Sequence, residues 1–192
     1  MGKLIYFANC SLDGYVEDET GSFDWTEPEP EVHAFINDAV RGAGTHLYGR
    51  RMYETMAVWE TEPSFAEMSP VMANFARIWQ DVDKVVYSRT LERVWTHRTT
   101  LEREFDPRAV RDLKARASQD ILLGGADLAA SAFRAALVDE CQLMVVPWLV
   151  GGGKRALPEG VRMPLEHLDQ RSFGGGAVYL RYGLKSPGGA SQ

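Results

Sequence analysis

Long apolar runs, basic clusters and cysteines are all scarce in this chain of 192 residues. No apolar run approaches the roughly 20 residues of a membrane-spanning helix, so no membrane segment is expected. The chain has 21 Lys and Arg against 27 Asp and Glu, and its net charge is -6. An acidic chain without a basic run is a poor candidate for nonspecific binding to nucleic acid. Its two cysteines are too few for a secreted disulfide framework, which predicts free thiols in a cytoplasmic protein.

Several catalytic patterns are also missing. The histidines are scattered, with no cysteine or acid at ligand spacing, so no metal site is predicted; they are His33, His46, His97 and His167. The chain has no Gly-x-Ser-x-Gly elbow of the kind that hydrolases use. The Gly49-Arg50 pair is not a Walker loop, which requires a lysine after its glycines.

Glycine, by contrast, is abundant and clustered. There are 18 glycines, with clusters at 124–125, 151–153 and 174–176, and no three-residue period. The chain is 45% hydrophobic and 25% charged, which is ordinary for a folded domain. The length predicts one domain over residues 1–185. Residues 186–192 are Ser, Pro, Gly, Ala and Gln and are predicted to form a flexible tail.

Apolar segments of strand and helix type alternate along most of the chain. Strands are predicted at 4–8, 45–48, 84–88, 121–123, 141–150 and 177–184, with amphipathic helices between the earlier ones. The last two strands have no clear helix between them. This order predicts a three-layer α-β-α fold of the α/β class, with a mostly parallel central sheet and an antiparallel C-terminal edge.

Polar and glycine-containing turns follow four of the predicted strands. Open α/β sheets bind ligands at the carboxyl ends of their strands, so these turns are the first places to look for a site. They are Asn9 to Gly14, Gly49-Arg50-Arg51, Ser88-Arg89-Thr90 and Gly124-Gly125-Ala126-Asp127.

The Gly124-Gly125 turn would let the backbone approach a pyrophosphate, with the free N–H groups of the following helix pointing at it. Such a turn between strand and helix is also common without any ligand. The arginine turns could form a fork for a phosphate, or their arginines could be solvated or paired with Glu54 and Glu92. Arg51 in particular could point outward.

The order of these motifs resembles the dihydrofolate reductase superfamily, and most of all the stand-alone relatives of the reductase domain of the riboflavin-biosynthesis deaminase/reductase. The resemblance covers residues 4–184. Its motifs are Ser11-Leu12-Asp13-Gly14, Gly49 to Glu54, Ser88-Arg89-Thr90, Gly124-Gly125-Ala126, Leu137 to Glu140 and Pro147 to Gly153.

The resemblance implies reduced nicotinamide dinucleotide as the cofactor, and NADPH rather than NADH. Its pyrophosphate would lie on residues of the Gly124 turn and on the helix start after the second strand, and its 2′-phosphate near the arginines. The cofactor-binding residues so implied are Ala8, Asn9, Gly49, Arg50, Arg51, Ser88, Arg89, Thr90, Gly124, Gly125, Ala126, Asp127 and Leu128. Ala8 and Asn9 would lie near the nicotinamide.

The substrate side offers two acids and three aromatic residues. Glu31 lies one helical turn before Phe35, so both could face the cleft, but an acid at a helix N-terminus is also favourable by itself. Asp13 follows the first strand directly, although Asp-Gly is also a common turn. Tyr15 and Trp25 could stack a flat ring with Phe35, or could anchor their own loop. Asp13 and Glu31 are the catalytic candidates.

These observations predict an NADPH-dependent reductase that acts on a small heteroaromatic, pterin- or pyrimidine-like substrate. The alternative is a non-catalytic module of the same fold that binds a nucleotide or flavin. A reductase for folate itself is disfavoured because the first helix has no unambiguous aspartate. A deaminase domain is not expected, since no zinc motif is present. Relatives often pair, so a homodimer is a further possibility.

Overall fold

A central eight-stranded sheet organises residues 1–185, which are the residues that the computed structural model describes. The predicted tail at 186–192 lies outside them, and the single domain remains a prediction. The strands are β1 (Leu4–Ser11), β2 (Tyr15–Glu17), β3 (Ala43–Gly49), β4 (Asp83–Tyr87), β5 (Thr99–Glu102), β6 (Asp120–Gly124), β7 (Glu140–Val146), β8 (Lys154–Arg155), β9 (Leu165–Ser172) and β10 (Val178–Leu184). The helices are α1 (Pro30–Val40), α2 (Arg50–Met56), α3 (Val58–Thr61), α4 (Pro63–Glu67), α5 (Pro70–Asp81), α6 (Pro107–Arg116) and α7 (Ala126–Arg134). A single 3-10 turn spans Asp24–Thr26.

The sheet has the order β5-β4-β3-β6-β1-β7-β10-β9, and β2 pairs with β8 in a separate two-stranded ribbon. Strands β1, β3, β4, β5, β6 and β7 pair in parallel, whereas β10 is antiparallel to both β7 and β9. The predicted α/β class with an antiparallel C-terminal edge is therefore confirmed.

Helices cover both faces of this sheet, which completes the predicted three layers. On one face α1 packs through Val32 and Ile36 against sheet residues such as Ile5 and Met144. On the other face, α7 packs through residues such as Phe133 against a separate cluster that includes Tyr6, Leu123 and Val110 of α6. Burial of these apolar stripes is the main force that holds the helices on the sheet.

The side chains of Ser69 and Asp106 cap the starts of two helices. The Ser69 hydroxyl accepts a hydrogen bond from the Met72 amide at the start of α5, and the Asp106 carboxylate accepts one from the Arg108 amide at the start of α6. Each cap satisfies one of the free N–H groups of a first helical turn.

The short strands β2, β5 and β8 were not predicted, and two longer strands also differ from the sequence predictions. Strand β7 ends at Val146 and not at residue 150, because Pro147 has no N–H to continue the ladder. Strand β9 was not predicted at all, since Leu165–Ser172 is exposed along its whole length and alternates poorly. Its hairpin with β10 turns through the glycines at 174–176.

Candidate active site

A gap opens between the neighbouring strands β1 and β6 at their carboxyl ends. Their parallel pairing ends at Tyr6 and Leu123, whereas β1 continues beside β7 as far as Ser11. From β1 the chain passes to α1 on one face, and from β6 it passes to α7 on the opposite face. Adjacent strands whose connections leave to opposite faces form the crevice in which open α/β sheets bind ligands.

The turn from β6 into α7 requires both of its glycines. A Cβ atom on Gly124 would lie 2.7 Å from a ring carbon of Tyr48. Gly125 has a φ of 94°, which residues with a side chain adopt only at a cost. Gly125 is also the N-cap of α7, and no side chain of the described residues caps the helix there. The first-turn N–H groups are therefore available to an anion.

The predicted residues of α7 contribute in different ways. Leu128 is buried in the core, so only its backbone is available to a ligand. Ala126 is half-buried and carries no polar side-chain atom. The Asp127 carboxylate is exposed and forms an ion pair with Lys154, at 3.1 Å between Oδ2 and Nζ.

The start of α2 lies beside the start of α7. At Gly49 a Cβ atom would find its nearest neighbour, Leu128 Cβ, 4.0 Å away. Packing within the protein therefore does not require glycine at position 49, whereas a phosphate group lying between the two helices would require it. The first turn of α2 likewise has no side-chain cap from residues 1–185. On β1, Ala8 packs in the cluster on the α7 face.

Arg50 and Arg51, the two arginines that follow β3, have different surroundings. Arg50 Nε donates to Glu54 Oε1 at 2.7 Å, and its Nη1 donates to Thr90 Oγ1 at 3.0 Å. Arg50 therefore pairs with Glu54, as the sequence allowed, and also contacts Thr90 in the turn after β4. The Arg51 side chain points outward, with 81% of its surface exposed and its nearest carboxylate, on Glu17, 3.8 Å away.

A cavity of about 350 Å³ lies beside Arg50. Its lining residues are Arg50, Thr90, Leu91, Glu92, Arg93 and Trp95. Arg93 and Trp95 were not identified from the sequence, because no local pattern marks them. The cavity brings together two cations, one carboxylate, a hydroxyl and an indole ring.

Ser88 and Arg89, which also follow β4, differ in how accessible they are to a ligand. The Ser88 hydroxyl is buried and accepts hydrogen bonds from the Thr90 and Leu91 amides at 3.3 and 3.0 Å. It therefore shapes the turn that presents Thr90. Arg89 is 81% exposed and lies 4.0 Å from Glu104, a separation at which an ion pair contributes little.

Five buried side-chain polar atoms have no hydrogen-bond partner within the described residues, and two of them belong to β1 and to the 3-10 turn that contacts it. These two are Oδ1 of Asn9 and Nε1 of Trp25. Leaving a buried polar group unpaired costs about 1–3 kcal/mol, so such atoms usually meet a ligand or water. Asn9 lies on the same face of β1 as Ile5, which is the α1 face.

A cross-strand row extends from Asn9 to the edge of the sheet on the α1 face. Asn9 is opposite Met144, Met144 is opposite Tyr179, and Tyr179 is opposite Arg171. The N-terminal turn of α1 lies above the end of this row, where Arg171 Nη2 bonds Glu31 Oε1 at 2.8 Å.

Phe35 lies beneath this ion pair. Its ring is 4.7 Å from that of Tyr179, and the Arg171 guanidinium carbon is 5.3 Å from its centroid. Glu31 and Phe35 thus share a side of α1, as their spacing predicted, and they border the row that begins at Asn9.

The other two predicted residues, Asp13 and Tyr15, lie apart from this row. The Asp13 carboxylate accepts hydrogen bonds from the Val150 amide at 3.2 Å and the Gly151 amide at 2.8 Å. Hydrogen bonds from the Ser11 side chain and the Gly151 amide hold the pKa of Asp13 below its usual value. Tyr15 pairs with Arg155 of β8, whose guanidinium carbon is 5.2 Å from its ring centroid.

Residues 1–185 show neither a metal-binding cluster nor a membrane-spanning helix. Within this range no three His, Cys, Asp or Glu side chains are grouped so that they could hold a metal ion. No helix in the same range is long and apolar enough to cross a membrane. Both cysteines, Cys10 and Cys141, are buried free thiols, and burial raises the pKa of Cys10 to about 11.

Comparisons with known proteins agree with this architecture. The chain is 27% identical over 182 residues to the uncharacterized protein YyaP of Bacillus subtilis, with 94% of each chain covered. A putative riboflavin biosynthesis protein from Shewanella sp. PV-4 has a TM-score of 0.75 at 19% identity, covering 96% of this chain and 99% of its own. Dihydrofolate reductase from Enterococcus faecalis, solved with NADP(H), has a TM-score of 0.64 at 12% identity, covering 96% and 98% respectively.

The solved structures show that the fold is dihydrofolate-reductase-like, as the motif order predicted. A family model described as the RibD C-terminal domain matches residues 2–179. Because this match spans most of the chain, the protein belongs to the RibD C-terminal domain family.

Proposed function

We propose that this protein is an NADPH-dependent reductase that transfers a hydride to a small heteroaromatic, pterin- or pyrimidine-like substrate. The observation that carries the proposal is the β1–β6 gap at the switch point of the sheet, with two uncapped helix starts beside it. The similarity to a dihydrofolate reductase solved with NADP(H) supports the same choice of cofactor.

Each part of the proposed cofactor can be matched to a polar feature of the site. The cavity beside Arg50 and Arg93 suits the adenosine end and its 2′-phosphate, because guanidinium groups bind phosphate bidentately. The free N–H groups at the starts of α2 and α7 suit the pyrophosphate, and the missing side chain at Gly49 leaves room for it. When bound, the dinucleotide supplies the hydride.

The substrate side rests on two unpaired atoms, one on β1 and one in the 3-10 turn that contacts β1. Trp25 Nε1 can donate a hydrogen bond and Asn9 Oδ1 can accept one, and both atoms are buried. A heterocycle with a carbonyl and a ring N–H has the complementary groups. Phe35 provides an aromatic ring at the end of the same row. These residues would orient a flat polar ring at the gap.

Titration of NADPH and NADH, followed by tryptophan or nicotinamide fluorescence, tests the cofactor. NADPH is expected to bind at least about tenfold more tightly than NADH, because a charged hydrogen bond contributes about 1.5–3 kcal/mol. Arg93→Gln should remove most of that preference. Arg116→Gln is the matched control and should retain the preference for NADPH. Arg116 is the last residue of α6, which leads into the amino end of β6. Binding of neither cofactor below millimolar concentration would exclude the reductase.

The two acids are distinguished by their effects on turnover. Glu31 borders the row that begins at Asn9, so Glu31→Gln is expected to slow turnover about tenfold or more. Asp13 is bound to two loop amides, so Asp13→Asn should chiefly lower thermal stability. Unchanged turnover in Glu31→Gln would remove that residue from the reaction.

A non-catalytic nucleotide- or flavin-binding module is the second candidate. It is favoured by the partners of the two acids, since Asp13 and Glu31 are each hydrogen-bonded to other groups and neither is a free proton donor. A screen of reducible heterocycles, followed by loss of NADPH absorbance, separates the two functions. Oxidation of NADPH with any heterocycle supports the reductase, whereas tight flavin binding without NADPH oxidation supports the module.

A further inference from the structure

A chain of four charged side chains links the first turns of α2 and α7. Lys154 Nζ lies 3.0 Å from Glu17 Oε1 and 3.1 Å from Asp127 Oδ2. Glu17 Oε1 lies in turn 3.8 Å from Arg51 Nη1. Arg51 is the second residue of α2, and Asp127 is the second residue of α7. The chain therefore runs from one uncapped helix start to the other, with Glu17 and Lys154 in the middle.

Lys154 directly follows the glycine cluster at 151–153 and is the first residue of β8. The contacts of this segment fix its path. At Gly153, where φ is 123°, a Cβ atom would overlap the backbone oxygen of Glu17. Strand β8 pairs with β2, and the Ala156 amide donates to the Gly14 oxygen at 2.8 Å. These contacts fix the backbone of Lys154 beside the start of α7.

The Lys154 ammonium is well placed but not fully used by protein groups. Its side chain is 23% exposed, whereas that of Asp127 is 80% exposed. Burial lowers the pKa of Lys154, but hydrogen bonds to Glu17 and Asp127 outweigh this and raise the pKa above its usual value. Lys154 is therefore a permanent cation. It also borders a cavity of about 280 Å³ whose other lining residues include Ala126 and Arg134 of α7.

We infer that Lys154 is a binding residue for the pyrophosphate of the dinucleotide, and that Glu17 competes with this phosphate for its ammonium group. The inference rests on the proposed function. A pyrophosphate between the helix starts adds negative charge next to Asp127 and Glu17, and only Lys154 and Arg51 in this group can compensate for it. Lys154 would then turn from the carboxylates to the phosphate, while Glu17 remains a repulsive charge nearby.

Substitution of Lys154 and of Glu17 distinguishes a role in phosphate binding from a structural role. Lys154→Met is expected to weaken NADPH binding about tenfold, the loss of one charged hydrogen bond. Glu17→Gln removes a negative charge beside the phosphate and is expected to strengthen binding about threefold. If the pair only held the β2–β8 ribbon in place, both substitutions would weaken binding together. Fluorescence titration of NADPH at two salt concentrations measures both effects, and the salt dependence should be smaller for Lys154→Met.

Arg134→Gln is the matched control, because it removes a cation from the same cavity at the far end of α7. It should bind NADPH within about twofold of the wild type, since its charge is screened from the helix start. Lys154→Arg should restore binding. Circular dichroism and thermal midpoints verify that each variant is folded.

The outcomes separate the two proposals. If the wild type binds the dinucleotide and Lys154→Met binds it equally well, Lys154 has no such role. Joint weakening by Lys154→Met and Glu17→Gln would likewise overturn the inference. If the wild type itself binds no dinucleotide, the proposed function fails and the inference fails with it.

Discussion

Replacement of Gly125 with alanine is expected to weaken NADPH binding about 100-fold. Gly125 has a φ of 94° and is the residue from which α7 begins. An alanine in this region costs about 1–2 kcal/mol, and the chain can relieve the strain by rotating the peptide. Rotation would turn the first-turn N–H groups away from the anion. The new methyl group would also lie about 3.2 Å from Met52 Cβ and narrow the approach to the turn. Titration by fluorescence measures the loss.

Gly160 provides the matched control for this substitution. It has a φ of 73°, and a Cβ atom there would meet no atom within 4 Å. Gly160→Ala therefore imposes a similar backbone strain in a loop that does not supply the N–H groups of α7. It should lower the thermal midpoint about as much as Gly125→Ala and leave NADPH binding unchanged. If both variants bind equally well, the N–H groups of α7 do not bind the pyrophosphate.

The positions of the residues on the proposed cofactor side were largely predictable because these residues follow strands directly. Arg50, Thr90 and Gly124 each lie within three residues of a strand end, and parallel strands bring their carboxyl ends to one edge. A local pattern of apolar strand, glycine and arginine was therefore enough to place them at this edge. The role proposed for Gly125 has the same basis, since helix starts after tight turns are typical anion sites.

Arg93 and Trp95 were not predictable in the same way because distant residues position them. The Tyr53 hydroxyl accepts hydrogen bonds from the Trp95 and Thr96 amides at 2.8 and 3.1 Å. Arg103 Nη1 donates to the Leu91 oxygen and holds the other end of the loop. The path of this segment depends on side chains of α2 and of the stretch after β5, and no local periodicity reveals such contacts.

The partners of the charged residues also could not be predicted from the sequence. Glu31 is paired with Arg171, 140 residues away, and Asp13 binds loop amides that are 137 and 138 residues away. Lys154 lies between Glu17 and Asp127, which come from different elements. Residue type identifies such groups as candidates, but only the folded sheet determines whether a charge is free, paired or bound to backbone.

Glu140 is expected to be among the most costly residues to remove, although it lies far from the gap. It begins β7, its side chain is 2% exposed, and it accepts hydrogen bonds from Arg181 at 2.7 and 3.1 Å. Lys3 Nζ lies 2.6 Å from the same carboxylate. Glu140→Ala would leave these cations without their shared partner and should lower the free energy of unfolding by about 3–5 kcal/mol. Urea unfolding measures this loss, and the exposed Glu166→Ala should cost less than about 0.5 kcal/mol.

The same carboxylate should make stability depend on pH in the acid range. Burial alone would raise the pKa of Glu140, but hydrogen bonds from Arg181 and Lys3 lower it to about 2. A carboxyl whose pKa is lower in the folded state stabilises the fold above its unfolded pKa, near about 4.3. That contribution is lost as the pH falls towards 2, because the folded state must then take up the proton. The difference in unfolding free energy between the wild type and Glu140→Gln should therefore shrink over this range. A difference that stays constant down to the lowest pH would mean that the pKa of Glu140 is not lowered by its partners.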